Sequence, residues 1–207
     1  MRPRVPKPQS AIGGFVELVV IVALALGLAL AIQAWLIKPY QIPSQSMEPT
    51  LDVGQRVLVN RFLYHFTDPE IGDIVVFHPP SGADGGGECG ATPTPEQACA
   101  KPTATRSDQN FIKRIVAGPG DRLSIRNGHP VVNGVEKTNE PYTMPCETGG
   151  GACSLPKPIV IPPDHYFMMG DNRGASQDSR FWGPVPRDWI IGKAFATYWP
   201  PDRVGIF

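Results

Sequence analysis

A chain of 207 residues with one apolar run leaves enough sequence for a single modest domain, elaborated by insertions. Lysine plus arginine equals aspartate plus glutamate at 19 each, and the basic residues do not cluster among aromatics. Charge therefore offers no footing for nucleic acid, and no nucleic-acid partner is expected.

The first predicted element is that run, Val16 to Ile37. As a helix rising about 1.5 Å per residue it measures roughly 33 Å, against a hydrocarbon core of about 30 Å. Glu17 and Gln33 sit near its ends, where polar groups reach the headgroups, and Trp35 and Tyr40 suit the interfacial belt. A cleaved secretory signal is the plainer alternative. Its apolar region is usually about 7 to 15 residues long, and Ala34-Trp35-Leu36 makes a poor small-residue cleavage site. Retention as a single-pass anchor in the lipid bilayer is therefore expected. Arg2, Arg4 and Lys7 precede the span and only Lys38 closely follows it, which leaves the N-terminus in the cytoplasm. The predicted organisation is a cytoplasmic segment 1–15, a transmembrane helix 16–37 and an extracytoplasmic domain 38–207.

Nine residues beyond the span lies Ser46, in the segment Pro43-Ser44-Gln45-Ser46-Met47-Glu48-Pro49-Thr50-Leu51. An extended chain gains at most about 3.5 Å per residue, so Ser46 stays within roughly 30 Å of the membrane surface.

The pattern then turns to strands. Arg56–Asn60, Asp73–His78, Phe111–Val116 and Asp121–Arg126 are short, rich in β-branched residues and bounded by Gly, Pro and Asp. The hairpin dipeptides Asn127-Gly128 and Asn133-Gly134 flank Val131-Val132. Ile159–Ile161, Tyr166–Met169 and Ile190–Trp199 supply further strands. No segment past the span sustains an apolar 3.6 period, and 24 prolines with 22 glycines would break most attempts. The predicted fold is mainly β, with one N-terminal transmembrane helix and loop insertions.

Two stretches read as insertions. Pro79–Asp108 carries Gly85-Gly86-Gly87 and Thr92-Pro93-Thr94-Pro95 with few apolar residues, and is expected to be exposed and mobile apart from its cysteines. Glu136–Pro158 is a shorter case. In an oxidising compartment the four cysteines read as disulfides, Cys89 with Cys99 and Cys146 with Cys153, the most local of three possible pairings. A zinc site is the rival; the wide cysteine spacing and the scattered His65, His78, His129 and His165 speak against it.

Serine is a weak nucleophile that needs a base, and no histidine stands in a recognisable setting for the task. Alternation along Phe111–Val116 puts Phe111, Lys113 and Ile115 on one face. A lysine buried there without a counter-ion is driven toward its neutral, basic form. On the strand alone, a lysine snorkelling at an edge fits as well.

The Ser46 segment, Gly72-Asp73-Ile74-Val75-Val76-Phe77, the Phe111–Val116 strand with Gly118-Pro119-Gly120-Asp121, and the run Gly170 to Arg180 occur in this order behind an anchor. In that, the chain closely resembles the bacterial type I signal peptidases, over the anchor and nearly all of the outer domain except the two insertions. The resemblance implies a Ser-Lys dyad protease needing no metal or cofactor: Ser46 as nucleophile, Lys113 as general base, and the Ser44 hydroxyl with the Ser46 amide as oxyanion hole. It further implies Ser176 as a hydrogen-bond partner of the lysine, Asp178 with Arg180 as a supporting ion pair, and Asp171 with Arg114 in the same polar shell. Substrates would be secretory preproteins with N-terminal signal peptides, cut after Ala-X-Ala sites in shallow apolar pockets. Tyr40, Ile42, Pro43, Met47, Leu51, Phe111 and Ile112 match pocket positions. Gly174-Ala175 and Ala117-Gly118 depart from the commoner Asp-Asn and Gly-Leu, and Phe111 stands where a tyrosine is frequent; none is a dyad position.

Three other classes fit the sequence less well. Ser154-Leu155-Pro156-Lys157 matches the Ser-Xaa-Xaa-Lys of penicillin-binding enzymes but lacks their accompanying elements. An inactive secretion scaffold would not need both dyad residues. A self-cleaving repressor-type peptidase would carry a DNA-binding domain and no span.

Overall fold

The computed structural model describes residues 11–85, 88–92, 94–146 and 152–207, without the side chains of residues 11, 12, 31–35 and 84. Arg2, Arg4 and Lys7 therefore lie outside the described residues, as do Gly86, Gly87 and Pro93, residues 147–151, and the side chains of Gln33 and Trp35.

Helix α1 (Ala11–Trp35) comes first. Its apolar window Gly13–Leu30 is covered by no other part of the chain among the described residues. Phe15, Leu18, Val22, Leu24 and Leu28 are exposed around its circumference, so no face is reserved for water. The helix stops before the expected Ile37, which already belongs to strand β1 (Ile37–Gln41). Pro39 explains the difference: its ring excludes a helical amide there and biases Lys38 toward extended backbone.

The chain continues as β2 (Arg56–Asn60), β3 (Ile74–Phe77), β4 (Phe111–Ala117), β5 (Arg122–Arg126), β6 (His129–Val132) and β7 (Val135–Glu136). After the second insertion come β8 (Leu155–Val160), β9 (His165–Met169), a single helical turn α2 (Ser179–Trp182), β10 (Val185–Pro186), β11 (Ile190–Trp199) and β12 (Gly205–Ile206). Among the described residues these form an eight-stranded sheet in the order β1-β2-β11-β3-β4-β9-β10, with β12 on β11, and a four-stranded sheet β7-β6-β5-β8. All pairs are antiparallel. Asn127, Gly128, Asn133 and Gly134 all have positive φ, as the primed turns of tight hairpins require.

Register fixes which end of the large sheet meets the anchor. Ile37 pairs with Asn60, Ile190 with Phe77, and Phe77 with Phe111, so all five residues lie toward the end where α1 joins. Lys113 stands in the same row as Ile37, four strands across the sheet: Ile37 pairs with Asn60, Asn60 with Lys193, Lys193 with Val75 and Val75 with Lys113.

The insertions are not what composition suggests. Ala83, Ala98, Cys99 and Pro102 of the first are buried, the Cys99 amide donates to Arg180 O at 3.0 Å, and Gln97 Nε2 donates to Pro158 O at 2.8 Å. The stretch expected to be wholly exposed instead alternates exposed residues with buried points of attachment to the domain. Small residues do this without an apolar run: Ala98 joins the core of Leu123, Ile125 and Ile159, and Ala83 joins Phe77 and Trp182. In the second insertion Leu155–Pro158 extends β8 backward as an edge strand, where Pro156 and Pro158 remove no ladder bond the sheet needs. Cys89 is bonded to Cys99 and Cys146 to Cys153, with Cα separations of 5.6 and 5.8 Å.

Candidate active site

Ser46 lies in a 3-10 turn, Gln45–Met47, between β1 and β2. Met47 and Leu51 carry the turn down into a core with Ile42, Val57, Val59, Ile74, Val76 and Ile112. The Asn172 amide donates to Ser46 O at 3.1 Å, tying the turn to the segment after β9. Ser46 is thereby held with only 6% of its surface exposed.

Lys113 comes from β4, which is flanked by β3 and β9, and is 4% exposed. Its Nζ donates to Ser46 Oγ at 2.5 Å and lies 5.7 Å from the centre of the Phe111 ring. No carboxylate lies within ion-pair distance of it among the described residues. Burial is the main influence and lowers the amine from 10.5 to about 8; Asp178 and Asp171 pull upward and Arg180 pushes down. The Ser44 hydroxyl, on exposed extended backbone, donates to Ser46 Oγ at 3.2 Å.

The segment after β9 closes the site. Gly170 needs its missing side chain: a Cβ there would collide with Ser46 O and with Ser176 Oγ. The Gly170 amide donates to Asp178 Oδ2 at 3.0 Å. Asp178 pairs with Arg180 at 2.7 and 2.9 Å. Burial raises the Asp178 carboxyl, but the Arg180 charge and the Gly170 amide outweigh it and hold the group below its ordinary value. Arg114 makes a bidentate pair with Asp171 at 2.9 and 2.7 Å, and Thr50 donates to the same carboxylate at 2.6 Å. Ser176 differs from expectation. Its Oγ is buried against Gly170, is not bonded to Lys113, and faces the Asp178 carboxyl, which it helps to hold low.

A cleft of about 290 Å³ opens over the pair, lined by Pro43, Ser44, Ser46, Phe111, Ile112 and Lys113, with Ala175 and Gln177 at its rim. Of the expected pocket residues, Pro43, Phe111 and Ile112 face it. Ile42, Met47 and Leu51 do not: they are closed to solvent in the core beneath, and the half-buried Tyr40 packs against that core. The structure corrects those four from walls to foundation.

Sequence reading missed one buried pair. Arg173 holds Glu140 through two bonds of 3.0 Å, donates to Gly170 O at 3.1 Å and also donates to Gly128 O. It pins the loop beyond Gly170 to the second insertion and the β5–β6 turn. Glu140 stands in a stretch read as an exposed loop, and only an unexplained arginine in the Gly170–Arg180 run pointed to a partner.

A hydroxyl beside a buried amine lowered to about 8, both lining an open cleft, is arranged for nucleophilic attack assisted by proton transfer. Comparison with known proteins agrees in kind. Residues 15–199 match the family described as "Signal peptidase, peptidase S26". The chain is 34% identical over 200 residues to a signal peptidase I of Leptolyngbya laminosa, covering 97% of this chain and 86% of that one. It is 30% identical over 197 residues to signal peptidase IB of Staphylococcus aureus, covering 89% of each. It is 35% identical over 184 residues to a thylakoidal processing peptidase of Arabidopsis thaliana, covering 87% of this chain and 47% of that one.

Proposed function

The chain belongs to the signal peptidase family, peptidase S26, and from that premise we propose a membrane-anchored serine endopeptidase that removes signal peptides from secretory preproteins after Ala-X-Ala-type sites. Ser46 is the nucleophile and Lys113 the general base. One observation carries this: a buried amine 2.5 Å from a serine hydroxyl at the floor of an open cleft.

The preprotein lies extended in the cleft, its backbone pairing with exposed strand edges so that orientation does not depend on sequence. The neutral Lys113 amine accepts the Ser46 proton as Oγ attacks the scissile carbonyl. The Ser44 hydroxyl turns from Ser46 Oγ to the developing oxyanion, which it stabilises with the Ser46 amide; one such donor is worth about 3 kcal/mol in comparable sites. Lys113 passes the proton to the leaving amine, an ester remains on Ser46, and water activated by the same amine releases the signal peptide. Asp178 with Arg180, Asp171 with Arg114, and Ser176 are scaffold around the pair, holding the Gly170 segment against it.

Shallow specificity follows from the filled core. Because Ile42, Met47 and Leu51 occupy the space under the cleft, no deep pocket is left and small side chains fit best. Lys113 shares its row of the sheet with Ile37, the first strand residue after the helix, so the site is placed to meet a translocated chain just past its own apolar segment. The N-terminal segment 1–15 is cytoplasmic, the span crosses the cell membrane once, and the domain 38–207 is extracytoplasmic.

The test is mass spectrometry of a preprotein bearing Ala-X-Ala after incubation with full-length wild type and Ser46→Ala. Wild type should yield a single cut after the second alanine, and the folded variant should leave the substrate intact. A variant that still produces the same cut would remove Ser46 from the mechanism.

A further inference from the structure

At the sheet end that meets the anchor lies a second cavity, of about 740 Å³, separate from the catalytic cleft. Its lining draws on segments distant in sequence: Leu36 at the foot of α1, Arg61 and His65 beyond β2, His78 after β3, Arg106 from the first insertion, and Asp188 before β11. The Arg61 amide donates to Leu36 O at 2.9 Å, which ties Arg61 to the residue immediately after the helix. Whatever tilt α1 takes, Arg61 stays at the depth of the lipid headgroups.

Among the described residues the cavity's charges find no ion-pair partner. Arg61 and Arg106 make no ion pair among the described residues, and neither does Asp188. With the histidines neutral, the two arginines and one aspartate leave a formal charge of +1 in the cavity. Arginine presents a planar fork of donors matched to phosphate oxygens. Beside the cavity, Phe62 and Phe66 stack edge to face at 4.8 Å on an exposed turn, 46% and 73% exposed. Bulky aromatics held open to solvent next to the end of a span suit the interface between headgroups and acyl chains.

We propose that this cavity binds the headgroup of a monoanionic phospholipid, of the phosphatidylglycerol type, in the leaflet on the domain's side of the membrane. Arg61 and Arg106 hold the phosphodiester, which cancels the cavity charge, while Phe62 and Phe66 rest among the acyl chains. The first insertion then has a role, since it supplies Arg106 to a site otherwise built from the sheet. A bound headgroup would fix the domain's height and rotation over the bilayer, and so the approach of the catalytic cleft to its substrate. The inference rests on α1 spanning the membrane.

The test is native mass spectrometry of the full-length protein released from bilayers of mixed phosphatidylcholine, phosphatidylethanolamine and a minority of phosphatidylglycerol. The wild type should retain phosphatidylglycerol well above its share. The double variant Arg61→Gln/Arg106→Gln should lose that excess by about tenfold or more, with Arg61→Lys/Arg106→Lys keeping part of it. Thermal stability and preprotein cleavage in pure phosphatidylcholine should be unchanged by either pair, since neither arginine touches the catalytic cleft. Equal retention by the glutamine variant, or a wild-type preference for phosphatidylethanolamine, would overturn the proposal. Soluble glycerophosphoglycerol that binds the detergent-solubilised protein as tightly as the lipid would refute a lipid source. An alkaline carbonate wash of the same bilayers separates the two readings: a released chain defeats the span itself, whereas a retained chain with no anionic preference defeats only the headgroup site.

Discussion

Burial that lowers Lys113 from 10.5 to about 8 acts on stability as well as on chemistry. At about 1.4 kcal/mol per unit, keeping this group charged in the folded protein costs roughly 3 kcal/mol relative to the unfolded chain. The sign follows from proton uptake. Between about 8 and 10.5 the unfolded chain binds more protons than the folded one, so stability rises with pH through that window; below about 8 the full penalty applies. Lys113→Met, which keeps the apolar stem, should therefore be more stable than wild type at pH 7 by a few kcal/mol, and the gap should narrow as pH approaches 10.5. Denaturant midpoints across that range check it, and a variant less stable than wild type at pH 7 would deny that the lysine is desolvated. At this scale much was legible in the sequence. Strand alternation puts Lys113 on one face with Phe111 and Ile115, but an edge lysine fits that pattern as well, and only the order of the four segments behind the helix pointed to its burial beside Ser46. The partnering of Ser176 was not legible, because a hydroxyl's direction depends on how Gly170 packs against it, which no local pattern encodes.

Among elements, the segment from Gly170 to Arg180 does most to hold the site, and Gly170 is where it comes closest. Adding a methyl group there forces it into Ser46 O and Ser176 Oγ. Overpacking of this kind costs typically 1–3 kcal/mol, so Gly170→Ala should unfold at a lower temperature and also cleave far more slowly, because the displaced atoms belong to the Ser46 turn and its neighbour. Calorimetry and preprotein cleavage read the two effects; unchanged activity would mean that the Ser46 turn tolerates displacement. The strands were largely readable, Arg56–Asn60 and Ile190–Trp199 to the residue, because β-branched alternation bounded by turn residues leaves little choice. The insertions were not. Their burial is made of alanine, cysteine and proline at close approaches and of the long-range pair Arg173–Glu140, none of which leaves a periodic signature.

For the whole molecule, an apolar helix left uncovered among the described residues and exposed aromatics at the sheet end it joins fit the membrane-anchored reading proposed above. The full chain should stay with membranes through an alkaline carbonate wash, and protease added on the extracytoplasmic side of sealed vesicles should reach the domain 38–207. Extraction by carbonate, or protection of the domain in such vesicles, would contradict the anchor or its orientation. The helix was legible from length and composition. Its lower boundary was not, since the helix yields to β1 where Pro39 and pairing with β2 take over.

The central claim is that the base at this site is the uncharged amine of Lys113. The pH dependence of kcat/KM on an Ala-X-Ala preprotein reports the ionisation of the free enzyme's base. The account predicts an ascending limb near 8, retained when any of the four histidines is replaced. A limb near 10.4, the ordinary lysine value, or one that follows a histidine near 6.5, would contradict it.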